Sequence, residues 1–273
     1  MKIKDTAANF KKFLTFCALP GTDVEGQKTF FKKVRGKIGK TGGTFFVTNE
    51  SHDGFVSVSY KPAKVETVGE FWTDDLSHLL TLLSAISKGD IVVDVDEEKI
   101  KIFGSPSRIS TDNCDKKEIK ESEFAETVGS SIKRNGTTNA TIHNTVLPYY
   151  VKTKAELMQQ VVKNASLVKG NVFYPFVVAK DGTLTIDAAD DYDKIQTEIG
   201  KIAEFESEPF ENTYLTGFDN VFSNLSGDIE LFFGENTPLI VYAKDGEYEL
   251  MAMIVPWKPK EIDPDAPTEE ATQ

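Results

Sequence analysis

Cysteine, histidine and long apolar runs are what this sequence has least of. Its two cysteines, Cys17 and Cys114, are far apart and form no Cys-x-x-Cys pair, so we expect free thiols in a reducing cytoplasm. No stretch approaches the ~20 consecutive apolar residues of a membrane span. The first lysines, Lys2 and Lys4, precede no apolar run of the kind that forms a secretory signal. These absences argue against disulfide-rich, secreted and membrane-spanning proteins.

Catalytic motifs are also missing. The three histidines, His52, His78 and His143, are isolated and form none of the spaced pairs that bind zinc. Gly39-Lys40-Thr41 resembles the end of a phosphate-binding loop, but Val34 stands where that motif requires glycine. The sequence therefore predicts a protein with no catalytic residues, no metal and no cofactor.

Charge is unevenly distributed along the chain. The net charge is −12, yet residues 1–64 contain twelve Lys or Arg against five Asp or Glu. An acidic protein repels DNA at long range unless its positive charges lie together on one surface. Such an arrangement is permitted here, although the asymmetry alone does not establish it.

Hydrophobic periodicity predicts four short helices. The first covers about residues 6–19, and the second follows Thr73 as N-cap, with Asp74 and Asp75 in its first turn. The third opens with a capping box, Thr153 to Glu156, and the fourth begins near Thr213. The residues expected to be buried are Phe10, Phe13, Leu14 and Cys17; Leu76, Leu79, Leu80, Leu83 and Ile86; Leu157, Val161, Ala165 and Val168; and Leu215, Phe218, Val221, Phe222 and Leu225.

The order of these elements occurs twice. Gly89-Asp90-Ile91 after the second helix corresponds to Gly227-Asp228-Ile229 after the fourth, and each leads into a strand, a turn and another strand. We therefore predict an α+β fold built from a duplicated unit, with helices on one face of antiparallel sheet. The expected organisation is a first domain at 1–112, a long polar connector at 113–144, a second domain at 145–257 and a flexible acidic tail at 258–273. The polar stretch begins near residue 105, and an edge strand is expected in it near 107–111.

Basic residues are the remaining candidates for function. Lys11 and Lys12 are placed on the first helix, and Lys152, Lys154 and Lys163 are placed on the third, with Lys169 just beyond it. The segment 28–40 adds Lys32, Lys33 and Arg35. Each lysine taken singly fits a solvated surface. Gathered on one surface they would neutralise phosphates without reading bases.

The motifs near both chain ends carry a family resemblance. The segment 235–242, with Pro238-Leu239-Ile240-Val241, followed by 248–256 ending in Val255-Pro256, resembles the C-terminal hairpin of proliferating cell nuclear antigen. The opening residues 1–13 and the segment 154–162 are similar to the clamps of large tailed bacteriophages. The resemblance covers about residues 1–257 and identifies the chain as similar to DNA sliding clamps.

This resemblance implies two duplicated clamp domains in the DNA-clamp fold. Three subunits would close head to tail into a homotrimeric ring around double-stranded DNA, opened by an ATP-dependent clamp loader and tethering a DNA polymerase. The candidate DNA-binding set contains Lys11, Lys12, Lys32, Lys33, Arg35, Lys152, Lys154, Lys163 and Lys169.

The family's partner pocket lies between the connector and the C-terminal strand. Its matching residues here are Pro238, Met253, Ile254, Val255 and Pro256, and its candidates from the connector are Ile119, Phe124, Val128 and Ile132. Two other readings stay open. One is a clamp-fold scaffold, such as a heteromeric ring subunit or a transcription coactivator. The other is an unrelated duplicated enzyme with a deep polar pocket.

Overall fold

The structure is a computed structural model of the 273-residue chain. It describes residues 1–18, 20–22, 28–30, 33–48, 54–86, 88–119, 121–136, 138–168, 173–189, 193–215, 221–222 and 224–256. The predicted tail at 258–273 lies outside these residues.

The first half of the chain runs from β1 to β11. Its elements are β1 (Lys2–Thr6), α1 (Ala7–Cys17), β2 (Pro20–Thr22), β3 (Lys28–Phe30), β4 (Val34–Gly39), β5 (Gly42–Thr48), β6 (Gly54–Tyr60), β7 (Lys64–Thr67), β8 (Gly69–Thr73), α2 (Leu76–Leu83), β9 (Asp90–Val95), β10 (Lys99–Phe103) and β11 (Arg108–Asp112).

The rest of the chain runs from a short 3-10 helix at Lys116–Glu118 to β22. Its elements are α3 (Glu121–Ser131), β12 (Ile132–Asn135), β13 (Asn139–Ile142), β14 (Thr145–Leu147), β15 (Tyr149–Lys154), α4 (Ala155–Ala165), β16 (Phe173–Val178), β17 (Thr183–Ala189), β18 (Lys194–Lys201), β19 (Phe210–Leu215), β20 (Asp228–Phe233), β21 (Leu239–Asp245) and β22 (Tyr248–Ile254).

Strand pairing confirms the predicted duplication. In the first half β1 pairs with β9, β9 with β10 and β10 with β11, while β4 lies between β5 and β8. In the second half β15 pairs with β20, β20 with β21 and β21 with β22, while β16 lies between β17 and β19. All of these pairs are antiparallel. The α+β class and the repeated unit follow directly from this match.

One junction joins the two halves. Strand β22, the last of the second half, pairs antiparallel with β6, from Glu249 opposite Ser59 to Ile254 opposite Gly54. The result is an eight-stranded sheet in the order β15-β20-β21-β22-β6-β5-β4-β8. The corresponding strands β18 and β11 each lie at the end of a separate sheet.

The two faces of the eight-stranded sheet have different partners. Adjacent residues of a strand point to opposite faces. On β5, the Phe45 ring meets Phe13 of α1 at 4.7 Å between ring centroids. Its neighbour Phe46 faces the other way and approaches Gly129 of α3. Helix α1 therefore lies on one face, and the buried residues of α2 and α4 belong to the same core as Phe13 and Phe45. We call this face the helix face, and the other, which the connector covers, the connector face.

The segment 113–144, predicted as a long polar connector, has regular secondary structure of its own. It contains the 3-10 helix, α3, β12 and β13, and its two strands form a three-stranded sheet with β14, which follows directly. Ala125, Val128 and Ile132 form a narrow apolar stripe that packs on Phe55 and Phe232 of the large sheet. The sequence looks polar because only this stripe is buried. The predicted edge strand near 107–111 is confirmed as β11.

The predicted starts of the second and third helices are wrong. The N-cap of α2 is Asp75, whose carboxylate accepts from the His78 amide, and Thr73 lies in β8. The capping box at Thr153 is wrong, because Thr153 is buried in β15. Glu156 instead accepts from the backbone amide of Gly227 at 3.2 Å.

The buried stripes are mostly as predicted. Phe10, Phe13, Leu14 and Cys17 are buried on α1. On α4, Met158 takes the buried position expected for Leu157, which is half-buried. The fourth helix does not begin near Thr213, since β19 continues to Leu215. Helical residues occur at 221–222, and the predicted Phe218 lies outside the described residues.

Replacement of Gly129 by valine tests the docking of the connector. A Cβ atom at Gly129 would lie 2.7 Å from ring carbons of Phe46 and Phe55, so a larger side chain must push α3 off the sheet. We expect Gly129→Val to lower the free energy of unfolding by about 1–3 kcal/mol. Chemical denaturation measures this loss. Glu126→Ala, at an exposed position of the same helix, is the control and should change stability little; equal stability of both variants would contradict the packing described.

Candidate nucleic-acid and partner surfaces

The exposed positions of α1, α2 and α4 that the structure describes are not predominantly acidic. The exposed residues of α1, α2 and α4 are Ala8 and Lys11; Ser77, His78 and Thr81; and Glu156, Gln160 and Lys163. Two lysines against one glutamate stand out in a chain of net charge −12. Lys11 and Lys163, both predicted as DNA contacts, make no ion pair with any residue that the structure describes. Their ammonium groups are therefore available to a polyanion.

Lys12, another predicted DNA contact, is already engaged. Its Nζ lies 2.9 Å from the Asp245 carboxylate and 5.6 Å from the ring centroids of Phe16 and Tyr248. Asp245 and Tyr248 belong to the last hairpin of the chain, β21 and β22. Lys12 therefore ties α1 to the second half of the chain.

A buried polar network continues this connection. Tyr60 of β6 donates to the buried Asp5 carboxylate, which also accepts from the Asn9 side-chain amide at 2.8 Å. The Tyr248 hydroxyl donates to the backbone oxygen of Asn9 at 2.8 Å, and its ring stacks on Tyr60. Burial, together with the bond to Asp5, raises the pKa of Tyr60 far above its usual value. The phenol therefore stays a hydrogen-bond donor throughout the physiological pH range.

Lys152 and Lys154 do not lie on the third helix. Both belong to β15, where Val151 and Thr153 face the helices and the two lysines point to the opposite face. Lys152 is 2.7 Å from Asp228, and Lys154 pairs with the same carboxylate. Hydrogen bonds from Lys152 and Lys154 lower the pKa of Asp228 to about 2. The prediction that these lysines share a surface with Lys11 and Lys163 is wrong, because the helix begins one residue after Lys154.

Arg35, the member of the basic segment on β4, also points away from the helices. Arg35 of β4 is half-buried, with its guanidinium 3.2 Å from Glu123 of α3 and 3.9 Å from Glu70. It therefore holds the connector against the sheet. Lys33 is half-buried just before β4. Lys32 and Lys169 lie outside the described residues.

Three predicted partner-binding residues are buried. Met253 is 5% exposed and packs beneath the connector with Phe55 and Ile240. Ile254, 4% exposed, faces the opposite side and belongs to the main core, as does Ile119. A pocket that uses these three side chains is not open in this structure, because Met253 is covered by the connector, and Ile254 and Ile119 are buried in the main core. Val128 and Ile132 are buried by the same packing.

The other predicted partner residues reach the surface. Phe124 on α3 is 43% exposed and Val255 after β22 is 37% exposed, both high values for large apolar side chains. Pro238 and Pro256 are half-buried. These four residues are the part of the predicted partner site that another protein can contact.

A groove on the connector face was not predicted. It has a volume of about 600 Å³ and lies between β12 and the strands β20, β21, β22 and β6. Ser57, Tyr242 and Met251 form part of its floor, and Arg134 of β12, paired with Glu230 at 2.7 Å, forms part of its wall. Its charged side chains are paired with one another. The sequence carried no signal for it, because its walls come from strands far apart in the chain.

A second cavity, of about 1080 Å³, lies beside the start of the connector. Charged side chains dominate it, including Glu70, Glu97, Glu98 and Lys116. Lys116 pairs with Glu70 and lies 5.7 Å from the centre of the Trp72 ring. Burial, with the nearby charges of Arg35 and Lys37, lowers the pKa of Lys116. Within the described ranges, no three His, Cys, Asp or Glu side chains are grouped to hold a metal ion.

Two strand edges form the remaining candidate surface. Strand β11 ends the five-stranded sheet and β18 ends the four-stranded sheet. At the two ends of the β10–β11 ladder, the Gly104 amide donates to the Ser107 carbonyl and the Asn113 amide donates to the Glu98 carbonyl. Because every second residue of an antiparallel strand bonds to the same neighbour, these two bonds show which residues of β11 bond to β10. The backbone groups of Arg108, Ser110 and Asp112 therefore point away from β10, toward the open side.

Comparisons with known proteins identify the fold. No family model matches the chain, and no curated protein matches it in sequence. Among solved structures, the A. fulgidus PCNA described as "C-terminal region of FEN-1 bound to A. fulgidus PCNA" superposes with a TM-score of 0.68 at 14% identity, covering 95% of this chain and 99% of that one. PCNA from Thermococcus kodakaraensis gives 0.64 at 17% identity, covering 94% and 99%.

A third similar structure comes from a eukaryote. The Entamoeba histolytica proliferating cellular nuclear antigen gives a TM-score of 0.66 at 14% identity, covering 94% of this chain and 98% of that one. The chain therefore has the fold of the DNA sliding clamps over nearly its full length. No helix in the described part of the chain is both long and apolar enough to span a membrane.

Proposed function

We propose that this chain is a DNA polymerase processivity factor, a non-enzymatic sliding clamp that encircles duplex DNA as a homotrimer. The observation that carries the proposal is the pair of free strand edges left by the duplication. Within the chain, strand β6 of the first half pairs with β22, the last strand of the second half. The counterpart of β6 in the second half is β18, and the counterpart of β22 in the first half is β11; each of these strands lies at the end of a sheet. A second copy can therefore repeat the junction between chains.

Repetition of this junction gives a head-to-tail assembly. Strand β11 of one subunit meets β18 of the next, so the interface is heterologous and must either close into a ring or propagate. Long open strand edges invite such pairing unless they are blocked. The fold of the clamps supports closure, and three subunits is the number that the family resemblance implies.

Duplex DNA is the polyanion that fits the helix face of such a ring. Lys11 lies on the first helix of the first half, Lys163 lies on the first helix of the second half, and both are exposed. Several other exposed residues of these helices and of α2 carry hydroxyl or amide groups. Contacts of this kind neutralise phosphates without reading bases, so the ring can slide. Lys152, Lys154 and Arg35 are assigned to ion pairs on the opposite face instead.

Protein partners are assigned to the apolar residues at the end of β22. One structural neighbour is described with the C-terminal region of FEN-1 bound to it. On this chain Val255, Pro256, Pro238 and Phe124 are the accessible members of the predicted pocket. We assign to them the tails of the polymerase and of an ATP-dependent clamp loader, in the cytoplasm where the DNA is replicated.

Ser110→Pro tests the ring. The Ser110 amide points away from β10, so proline removes a bond to the next subunit and leaves the β10–β11 pairing intact. We expect the wild-type protein to have three times the 30.3 kDa mass of one chain and the variant to be monomeric. Light scattering over a concentration series measures both, with Ser110→Ala as the control. A wild-type protein that stays monomeric would refute the homotrimer and favour a heteromeric ring or scaffold.

Matched neutralisations test the DNA surface. Lys11→Gln with Lys163→Gln removes two charges from the helix face, and Lys152→Gln with Lys154→Gln removes the same charge from the connector face. We expect the first pair to weaken binding to a short duplex at low salt by about tenfold and to flatten its salt dependence, since fewer counterions are released. The second pair should bind as wild type does. Fluorescence anisotropy with a labelled duplex measures both, and equal losses would exclude the assignment.

Val255→Asp tests the partner site. A charge at this exposed apolar position should weaken binding of the purified cognate polymerase by about tenfold or more, because apolar contact is replaced by a buried charge. Calorimetric titration measures the affinity. Val146→Asp is the matched control, since Val146 is 56% exposed on β14 of the connector sheet. Unchanged affinity for the first variant, with its fold intact by circular dichroism, would rule out this surface.

A further inference from the structure

The register between neighbouring subunits can be inferred from the two free strand edges. This inference rests on the proposed ring, and it specifies which residues of a second copy of this chain face each other. Three observations constrain it: the direction of pairing, the phase of the hydrogen bonds and the charges along the two strands.

The direction of pairing follows from the junction within the chain. Strands β6 and β22 run antiparallel, and their counterparts β18 and β11 occupy the same places in the repeated unit. An antiparallel ladder between β11 and β18 of two copies would join the five-stranded and four-stranded sheets into one continuous sheet. The helices of both subunits then stay on the same face.

The phase of the hydrogen bonds is set separately on each strand. On β11 the backbones of Arg108, Ser110 and Asp112 point to the open side. For β18, the phase follows from the neighbouring ladder of β16 and β17. There the Ala179 amide donates to the Thr183 carbonyl, which shows that Thr183 and every second residue after it on β17 bond to β16. By this alternation β17 uses Ile186 and Ala188 to bond β18, so the backbones that point to its open side belong to Lys194, Gln196 and Glu198.

Only a register that opposes these two sets can form hydrogen bonds. The allowed registers therefore differ by steps of two residues. Arg108, Ser110 and Asp112 are exposed, as are Lys194, Gln196 and Glu198. The charges on these side chains distinguish the remaining registers.

We propose that β11 of one subunit pairs with β18 of the next so that Arg108 faces Glu198, Ser110 faces Gln196 and Asp112 faces Lys194. This register creates two opposite-charge pairs with a hydrogen-bonding pair between them. A slip of two residues in one direction places Arg108 opposite Gln196 and Ser110 opposite Lys194. A slip in the other direction places Ser110 opposite Glu198 and Asp112 opposite Gln196. Either slip loses both charge pairs.

The present partners of these side chains permit the new contacts. Arg108 and Glu198 form no ion pair among the residues that the structure describes. Asp112 lies 3.5 Å from Lys99 with its side chain 91% exposed, and Lys194 lies 2.7 Å from Asp187. A carboxylate accepts several hydrogen bonds and an ammonium donates three, so both can gain a partner across the interface.

Paired cysteines test the register directly. In a hydrogen-bonded antiparallel pair the Cα atoms are about 5.5 Å apart, within disulfide reach, whereas a two-residue slip moves them beyond about 7 Å. In a Cys114→Ala background, Ser110→Cys with Gln196→Cys should form covalent oligomers under mild oxidation. Ser110→Cys with Lys194→Cys, or with Glu198→Cys, should form far fewer. Denaturing gels measure the yield, and Cys17 is buried and should not contribute.

Charge reversal provides a second measurement. Arg108→Glu places like charges opposite each other and should raise the concentration at which the ring dissociates by about tenfold, while adding Glu198→Arg should restore it. Stronger cross-linking in a slipped pair, or no rescue by the double variant, would overturn the register. The mass of the wild-type protein separates the two failures: a trimer with another register refutes only this inference, whereas a monomer refutes the proposed ring.

Discussion

The antiparallel pairing of β22 with β6 is the interaction on which the rest of this molecule depends. It joins two copies of one unit into a single eight-stranded sheet. Because side chains alternate along each strand, the same pairing decides which residues face the helices and which face the connector. It also leaves β11 and β18 without the partners that their counterparts have. The cation-bearing helix face, the covered connector face and the two open edges are all consequences of that one ladder.

Polar contacts reinforce the ladder where the two halves meet. Asp5, Asn9 and Lys12 belong to the first half, and each lies within the network that reaches Tyr248 or Asp245 of the last hairpin. Removing one member would leave buried groups unsatisfied, which costs more than the bond itself contributes. The junction within a chain is therefore better fastened than strand pairing alone would make it. Lys12 shows how a residue that looks like a phosphate contact in sequence serves this junction instead.

Much of the fold could be predicted from local patterns. The stripe of Phe10, Phe13 and Leu14 and the repeated Gly-Asp-Ile segments were sufficient to identify a helix and a duplication, because both are properties of neighbouring residues. Lys152 and Lys154 were wrongly assigned to a helix because strand β15 ends at Lys154 and helix α4 begins at the next residue. On the strand, their side chains lie on the connector face rather than on the helix face. The helix and strands of the connector were not predicted because its buried stripe, from Ala125 to Ile132, is narrow and surrounded by polar residues. The groove and the strand edges depend on pairing between distant segments, which no local pattern reveals.

Strand order also has a consequence for how the chain acquires its structure. Strand β22 is synthesised after every strand that it joins, and in its partner β6 the residue Gly54, paired with Ile254, lies 200 residues earlier. The first half must therefore emerge from the ribosome with the β6 edge exposed and wait for the last hairpin. Such long-range pairing slows folding, and an unpaired edge is open to association with other chains in the meantime. Correct folding during synthesis therefore requires that the edge of β6 stays unpaired until β22 has been synthesised.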